Sequence, residues 1–122
     1  MKEVLIPIDF TRTSENALTY GYQLAESIDK KIKAIHVYMP SSIELSDSPL
    51  LNYDYQELRA LQFDKFVLKQ QNLLKKIGTK SKIIEKNMKV GFPGDEILKA
   101  IDEYNPELVI MGTTGDSSII KK

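Results

Sequence analysis

Short apolar runs alternate along this chain with longer segments of helical periodicity, and no other feature restricts the possible fold as much. Val4–Ile8 and Leu108–Met111 are apolar almost throughout, as expected of strands that are buried on both faces. Ile32–Tyr38 also has strand-like content, whereas Lys82–Val90 is more polar and suits the edge of a sheet. Because a helical segment separates successive runs, the predicted order is βαβαβαβ.

The first helical segment has the clearest pattern. Apolar residues recur every three or four positions from Ala17 to Ile28, which predicts an amphipathic helix. Thr13 or Ser14 is the expected N-cap of this helix. Gly21 lies within the apolar stripe although glycine lowers helix propensity, so we interpret it as a point of close packing against the sheet.

Two further helices are expected, at Tyr55–Ile77 and from Gly94 to Tyr104, and the stretch Pro40–Asp54 is predicted to be irregular. In the longer helix, Leu58 and Leu61 fall on a different face from the main apolar stripe. Either that helix bends near its start, or these two leucines meet another surface.

The alternation predicts an α/β fold in which an open parallel sheet carries helices on both faces. If crossovers are right-handed and the polar third strand is an edge, the fourth strand lies beside the first, in the order 3-2-1-4. The reversal between strands one and four creates a crevice at the carboxyl ends of the strands, where open α/β sheets bind ligands. Asp9, Phe10 and Gly112–Gly115 are the residues expected there.

Composition excludes several classes of function. The 122 residues suffice for one domain, and equal numbers of basic and acidic residues leave no positive excess for nucleic acid or an anionic membrane. Without cysteine, the chain forms neither a disulfide nor a thiolate site. No stretch resembles a signal peptide or reaches membrane-spanning length, so we expect a cytoplasmic protein.

Two glycines follow the last apolar run. Gly112 and Gly115 lack side chains, so the backbone amides of the predicted loop would approach a phosphate closely. The loop is not a Walker motif, because no Gly-Lys-Ser/Thr follows it. A Gly-x-x-Gly pair alone is more typical of an ordinary turn, and only its place after a buried strand favours ligand binding.

Two polar side chains lie at or near the predicted strand ends. Asp9 is either a turn or helix-capping carboxylate, or a ligand for a hydroxyl group or a hard divalent cation, and the residues alone leave both interpretations open. His36 is the only histidine and lies within a strand pattern. We interpret it as a packed, hydrogen-bonded residue rather than a catalytic base.

Five pieces of sequence occur in an order that is more specific than any one of them. They are IPIDF (6–10), SENAL (14–18), HV (36–37), GFPGDEI (91–97) and VIMGTTG (109–115). Together they resemble the universal stress protein (UspA-like) family over nearly the whole chain. The resemblance implies a Rossmann-like sheet, similar to that of adenine nucleotide alpha hydrolases and normally of five strands in the order 3-2-1-4-5, and it implies a homodimer. One branch of that family binds ATP through Gly-x2-Gly-x9-Gly-Ser/Thr.

The resemblance also implies roles for single residues. The nucleotide site would be formed by Ile8, Asp9, Val37, Met111, Gly112 and Gly115. Asp9 would lie beside the ribose and phosphates and could help to hold Mg²⁺ or Mn²⁺. Val37 would contact adenine through its backbone, Met111 and Gly112 would line the pocket, and Gly115 would begin the phosphate-binding loop.

The chain departs from the ATP-binding pattern in one respect. Nine residues after Gly115 lead past Lys122, so the Gly-Ser/Thr half of the motif is not matched, and the fifth strand is expected to be missing. The apolar fourth strand would then have an exposed edge. We expect residues 1–122 to be one incomplete domain, from a single-domain protein or from the first half of a tandem pair.

Three functions remain open. A stress-response domain that binds ATP or another adenine nucleotide without significant turnover fits the resemblance best. The missing half-motif and the apolar edge instead favour an oligomerising interaction module of the same family that binds no nucleotide. An ATP-cleaving enzyme would need a nucleophile, a general base or a second carboxylate near the loop, and the sequence supports none of these.

Overall fold

The computed structural model describes residues 3–40, 49–78, 82–113 and 116–121, with side chains described for 3–40, 55–78 and 82–112. Strands and helices alternate through these residues until the last two strands follow each other directly. The elements are β1 (Glu3–Pro7), α1 (Arg12–Ser27), β2 (Lys31–Tyr38), α2 (Pro49–Lys76), β3 (Ile84–Val90), α3 (Pro93–Tyr104), β4 (Leu108–Thr113) and β5 (Asp116–Lys121).

The strands form one sheet in the order β3-β2-β1-β4-β5. β1 lies between β2 and β4 and is parallel to both, with Val4 opposite Ile32 on one side and Leu108 on the other. The predicted α/β fold and the order 3-2-1-4 are confirmed, and so is the edge position of the polar third strand. The reversal of strand order falls between β1 and β4, as predicted.

A fifth strand lies where the sequence predicts none. β5 pairs antiparallel with β4, so that Ile110 lies opposite Ile119 and Gly112 lies opposite Ser117. Only residues 114–115 separate the two strands, and so short a connection joins antiparallel strands as a hairpin. The predictions of a missing fifth strand and of an exposed β4 edge are therefore wrong, since β5 pairs along that edge.

Helices cover both faces of the sheet because alternate strand residues point to opposite sides. On one face, strand residues pack against α1 and α2 in a buried cluster. It contains Val4, Ile6, Ile8, Ala17, Leu18, Tyr22, Ala25, Ile32, Ala34, Phe63, Val67, Leu74, Ile84 and Ile110. On the other face, Leu5, Ile35 and Val109 pack against Ala100 of α3. Burying each large aliphatic side chain contributes about 1.5–3 kcal/mol, so the two clusters hold the strand ends in fixed positions.

The start of α1 differs from the prediction. Its N-cap is Thr11, whose hydroxyl oxygen accepts a hydrogen bond from the Ser14 N–H over 3.3 Å, so the helix begins before the predicted caps. The interpretation of Gly21 is confirmed, because a Cβ at this position would lie 2.5 Å from Cδ1 of Ile6 on β1. α1 thus packs directly on the central strand.

The long helix α2 also begins earlier than predicted, at Pro49, so residues 49–54 are helical rather than irregular. The rest of the predicted irregular stretch, residues 41–48, lies outside the described residues. Leu58 and Leu61 are 62% and 57% exposed, which confirms that they lie on a different face of the helix from its buried residues. Among the described residues, none of the helices combines the length and the apolar character needed to cross a membrane.

Candidate functional site

A cleft of about 190 Å³ opens at the carboxyl edge of the sheet, where β1 and β4 end side by side. Its lining consists of Pro7, Ile8, Asp9, Ser14, Ile35, Val37, Pro93, Ile97, Met111 and Gly112. Of the six residues that the family resemblance assigns to the nucleotide site, all except Gly115 belong to this lining. Gly115 lies outside the described residues.

Asp9 follows β1 and closes a tight turn with the first residues of α1. Its Oδ1 accepts hydrogen bonds from the Thr11 N–H over 3.1 Å and from the Thr11 hydroxyl over 2.5 Å. The Asp9 N–H donates to Oγ of Ser14 over 3.4 Å, and that hydroxyl donates to the Thr11 carbonyl over 3.0 Å. The interpretation of Asp9 as a turn carboxylate is confirmed, and the turn places this carboxylate at the mouth of the cleft.

The same hydrogen bonds keep Asp9 ionised. Burial raises the pKa of Asp9, but hydrogen bonds, chiefly those from the Thr11 hydroxyl and N–H, outweigh burial and lower this pKa below its ordinary value of 3.8. Asp9 is the one carboxylate in the described lining, so the cleft carries a negative charge at neutral pH.

A cation would therefore have only one protein carboxylate to bind. The described residues contain no group of three or more histidines, aspartates or glutamates that could hold a metal without other ligands. Mg²⁺ is commonly held by one or two carboxylates together with the phosphates of a substrate. Asp9 fits a cation shared with a bound phosphate, and the described residues do not provide a permanent metal centre.

Phe10, the next residue, does not line the cleft although the sequence places it there. Its φ of +66° is a left-handed conformation that costs a bulky residue about 1–3 kcal/mol. This backbone turns the ring into an aromatic cluster, with centroids 4.3 Å from His36, 5.6 Å from Phe66 and 6.3 Å from Phe63. Contacts within the cluster offset the backbone strain.

His36 belongs to the same cluster and is a packed, hydrogen-bonded residue, as predicted. Its side chain is buried, and Nδ1 lies 2.7 Å from the carbonyl oxygen of Ile8. Burial lowers the pKa of His36 below 6.5. The ring faces the core and not the cleft, so His36 is not placed to act as a base there.

Val37 contributes backbone groups to the cleft. In a parallel ladder, residues two apart direct their N–H and C=O groups to the same neighbouring strand. The Ile35 carbonyl accepts from the Ile8 N–H over 2.8 Å, and the Tyr38 carbonyl accepts from the Gly91 N–H on the opposite side. The N–H and C=O groups of Val37 therefore point towards the β1 side of β2. They lie beyond the end of the β1–β2 pairing, whose last β1 residue is Pro7.

Gly112 lines the cleft from within β4, not from a loop. A Cβ at this position would collide with the carbonyl group of Thr13 in the first turn of α1. The sequence predicted that Gly112 lets a phosphate approach the backbone amides closely. The structure gives another reason for this glycine, since only glycine lets β4 approach the start of α1 so closely.

Neither the strand residues Pro7 and Ile35 nor three helix residues of the lining were among the predicted site residues. Ser14 comes from α1, while Pro93 and Ile97 come from the start of α3, which follows β3 at the same edge of the sheet. All three lie in pieces of sequence that carry the family resemblance, and that was the available signal. Strand-end reasoning alone misses them, because it considers no helix residues.

Solved structures of several universal stress proteins share the fold of this chain. UspA from Lactobacillus plantarum superposes with a TM-score of 0.71 at 18% identity, over 93% of this chain and 80% of that one. A universal stress family protein from Burkholderia pseudomallei gives 0.62 at 18% identity, over 92% and 81%. A universal stress protein in complex with cAMP gives 0.58 at 19% identity, over 88% and 69%. No curated protein sequence matches this chain.

At these identities, the superpositions show a shared fold and say nothing of this chain's ligands. The sequence itself identifies the family, because the family profile named Universal stress protein matches residues 1–121. That match takes in every strand and helix described above. The chain belongs to the universal stress protein family.

Proposed function

We propose that this chain is a cytoplasmic stress-response domain that binds an adenine nucleotide, such as ATP, without significant turnover. The observation that carries the proposal is the cleft, in which the Val37 backbone groups and the Asp9 carboxylate lie at the same strand ends. One structural neighbour is a universal stress protein in complex with cAMP, which supports an adenine ligand.

The size and lining of the cleft suit a nucleobase. Its volume of about 190 Å³ exceeds the roughly 150 Å³ of a protein cavity that holds benzene. Ile35, Ile97 and Met111 provide apolar surface for a flat ring, and the Val37 N–H and C=O provide a donor and an acceptor for its edge. The sugar and phosphates would extend towards Asp9.

The phosphates would bind through a divalent cation. No lysine or arginine belongs to the described lining, and the Asp9 carboxylate repels an anion. Mg²⁺ or Mn²⁺ between Asp9 and the phosphates would turn this repulsion into attraction. Slow or absent hydrolysis fits the same lining, because Asp9 is its one titratable side chain and hydrolysis needs a second group to activate water.

Isothermal titration with ATP, in the presence and absence of Mg²⁺, tests this proposal. Asp9→Asn should weaken ATP binding about tenfold when Mg²⁺ is present, a loss of about 1.4 kcal/mol, and far less when it is absent. Asp102→Asn, at an exposed position of α3, is the matched control and should bind like the wild type. If the wild type binds neither ATP nor cAMP, the proposed function is wrong; if the two variants bind alike, Asp9 does not hold the cation.

A second function, an interaction module that forms homodimers, has one observation in its favour. Leu58, Leu61 and Leu68 of α2 are between 57% and 62% exposed, and their spacing places them along one side of the helix. Leu61→Gln should lower the dimer fraction in light scattering at high protein concentration. Leu98→Gln, at an equally exposed position of α3, should not change it. A monomeric wild type would rule out this second function.

A further inference from the structure

His36 contacts the residues on both sides of Asp9. Its Nδ1 lies 2.7 Å from the carbonyl oxygen of Ile8, the residue before Asp9. Its ring lies 4.3 Å from the ring of Phe10, the residue after Asp9, at an interplanar angle of 31°. One buried side chain on β2 therefore holds the backbone on both sides of the cleft carboxylate.

The hydrogen bond to Ile8 determines the protonation of the imidazole. A carbonyl oxygen only accepts, so Nδ1 carries the hydrogen and donates it. In the neutral ring, Nε2 is then an unprotonated acceptor, and it has no hydrogen-bond partner among the described residues. His36 as a whole is 5% exposed, and its ring also packs against that of Phe63, with centroids 5.8 Å apart. Leaving a buried acceptor without a partner is costly, so simple packing would be served better by an apolar side chain.

The polar function of His36 therefore lies at Nδ1. The Ile8 N–H already pairs with Ile35, so the bond from His36 to the Ile8 carbonyl fixes the second polar group of the same residue. The Phe10 backbone has a left-handed conformation, which packing of the Phe10 ring helps to maintain. The imidazole provides part of the surface against which that ring packs. An apolar replacement would fill the space but would leave the Ile8 carbonyl unpaired.

We infer that His36 is a positioning residue, which fixes the backbone of Ile8 and Phe10 and thereby directs the Asp9 carboxylate into the cleft. The role of that carboxylate in nucleotide binding rests on the proposed function. The positioning of the β1–α1 turn does not, and it is measured without any ligand.

The first experiment measures the turn itself in three variants. His36→Leu removes the donor, His36→Asn keeps an N–H donor close to the position of Nδ1, and Phe63→Leu reduces packing while keeping the bond to Ile8. The amide hydrogen of Thr11, which donates to Asp9, should exchange about tenfold faster in His36→Leu. Exchange in His36→Asn and Phe63→Leu should stay close to that of the wild type.

The second experiment uses the imidazole as its own reporter. Because the chain has a single histidine, its ¹⁵N shifts are assigned without ambiguity, and they should show a protonated Nδ1 and an unprotonated Nε2. A proton on Nε2 in the neutral ring would overturn the inference. So would an unchanged Thr11 exchange rate in His36→Leu, or failure of both His36 variants to fold while Phe63→Leu folds.

The third experiment connects the turn to the ligand. With Mg²⁺ present, His36→Leu should weaken ATP binding about tenfold, His36→Asn should restore it, and adding Asp9→Asn to His36→Leu should cause little further loss. Independent losses that add in the double variant would overturn the connection. If the wild type binds no nucleotide, the proposed function fails, while the exchange rates still decide whether His36 positions the turn.

Discussion

The two strands that form the cleft, β1 and β4, are held in place by different means. After β1, the turn at Asp9 is fixed by side-chain hydrogen bonds from Thr11 and by the aromatic contacts of Phe10. β4 is placed by shape, because Gly112 touches the backbone of Thr13 and leaves no room for a side chain. We call these two sides of the cleft the β1 wall (the turn after β1) and the β4 wall (β4 at Gly112). A mutation can remove a single hydrogen bond from the β1 wall, whereas any side chain added at Gly112 collides with the backbone. The two walls should therefore respond differently to mutation.

The largest effect is expected at the β4 wall. Gly112→Ala places a Cβ against the Thr13 carbonyl group, and relief requires β4 and α1 to separate. We expect a loss of about 2–3 kcal/mol in the free energy of unfolding, measured by urea denaturation.

Gly21→Ala is the matched control for this substitution, because it also adds a Cβ between α1 and the sheet. Its contact is the Cδ1 end of the Ile6 side chain, which can move, and alanine is the better helix former by roughly 0.5–1 kcal/mol. The net loss should stay below about 1 kcal/mol. Equal losses at the two glycines would show that the backbone contact at Gly112 has no special weight.

A smaller effect is expected at the β1 wall. Thr11→Ala removes both the N-cap of α1 and the hydroxyl that donates to Asp9, and should cost about 1 kcal/mol of unfolding free energy. Thr11→Ser keeps the hydroxyl and should stay near the wild type. If serine proves as destabilising as alanine, the hydroxyl group is not what stabilises the turn.

The smallest effect is the response of the β1 wall to acid. The pKa of His36 is lowered by burial and by the Arg59 charge, against the opposing effects of the Ile8 carbonyl and Asp9. The unfolded chain therefore binds a proton near pH 6.5 that the folded chain binds only at lower pH. The free energy of unfolding should fall as the pH drops below that value.

His36→Asn has no imidazole to titrate, so it isolates this contribution. Its unfolding free energy should decline less than that of the wild type between about pH 7 and pH 5, when both are measured by urea denaturation. Asp9 has a lowered pKa, so its own contribution is present above pH 3.8 and is lost only in stronger acid. Equal declines in the two proteins would contradict the assignment to His36.

The sequence predicted the fold well where an element has a long periodic pattern. α1 and the buried strands follow from apolar spacing, and the polar β3 was correctly placed at the edge. β5 was missed, because Asp116–Lys121 is short and follows the pair Thr114–Gly115, which the phosphate-loop interpretation took as part of a binding loop. A short hairpin and a phosphate loop share the same glycine signal.

The part of the site that is formed by strand ends was predictable from the sequence. Parallel strands bring their carboxyl ends to one edge, so Asp9 and Gly112 were expected together, and the family resemblance added Val37 and Met111. The positions of Ser14 and Phe10 depend on the turn into α1. There the left-handed conformation of Phe10 turns its ring away from the cleft, while Ser14 lines the cleft. Apolar periodicity carries no information about that turn.

The place of β1 also affects the order in which the chain can assemble. β1 precedes the other strands in sequence, yet it pairs with β4, so Val4 meets Leu108 only after all the intervening residues are available. Contacts between residues so far apart in sequence close late and slow the search for the native state. During synthesis, the apolar β1 would have only β2 as a neighbour, and its other edge would stay open to aggregation until β4 emerged. The adjacency of β1 and β4 that creates the cleft thus leaves one edge of β1 unpaired until the residues of β4 have been made.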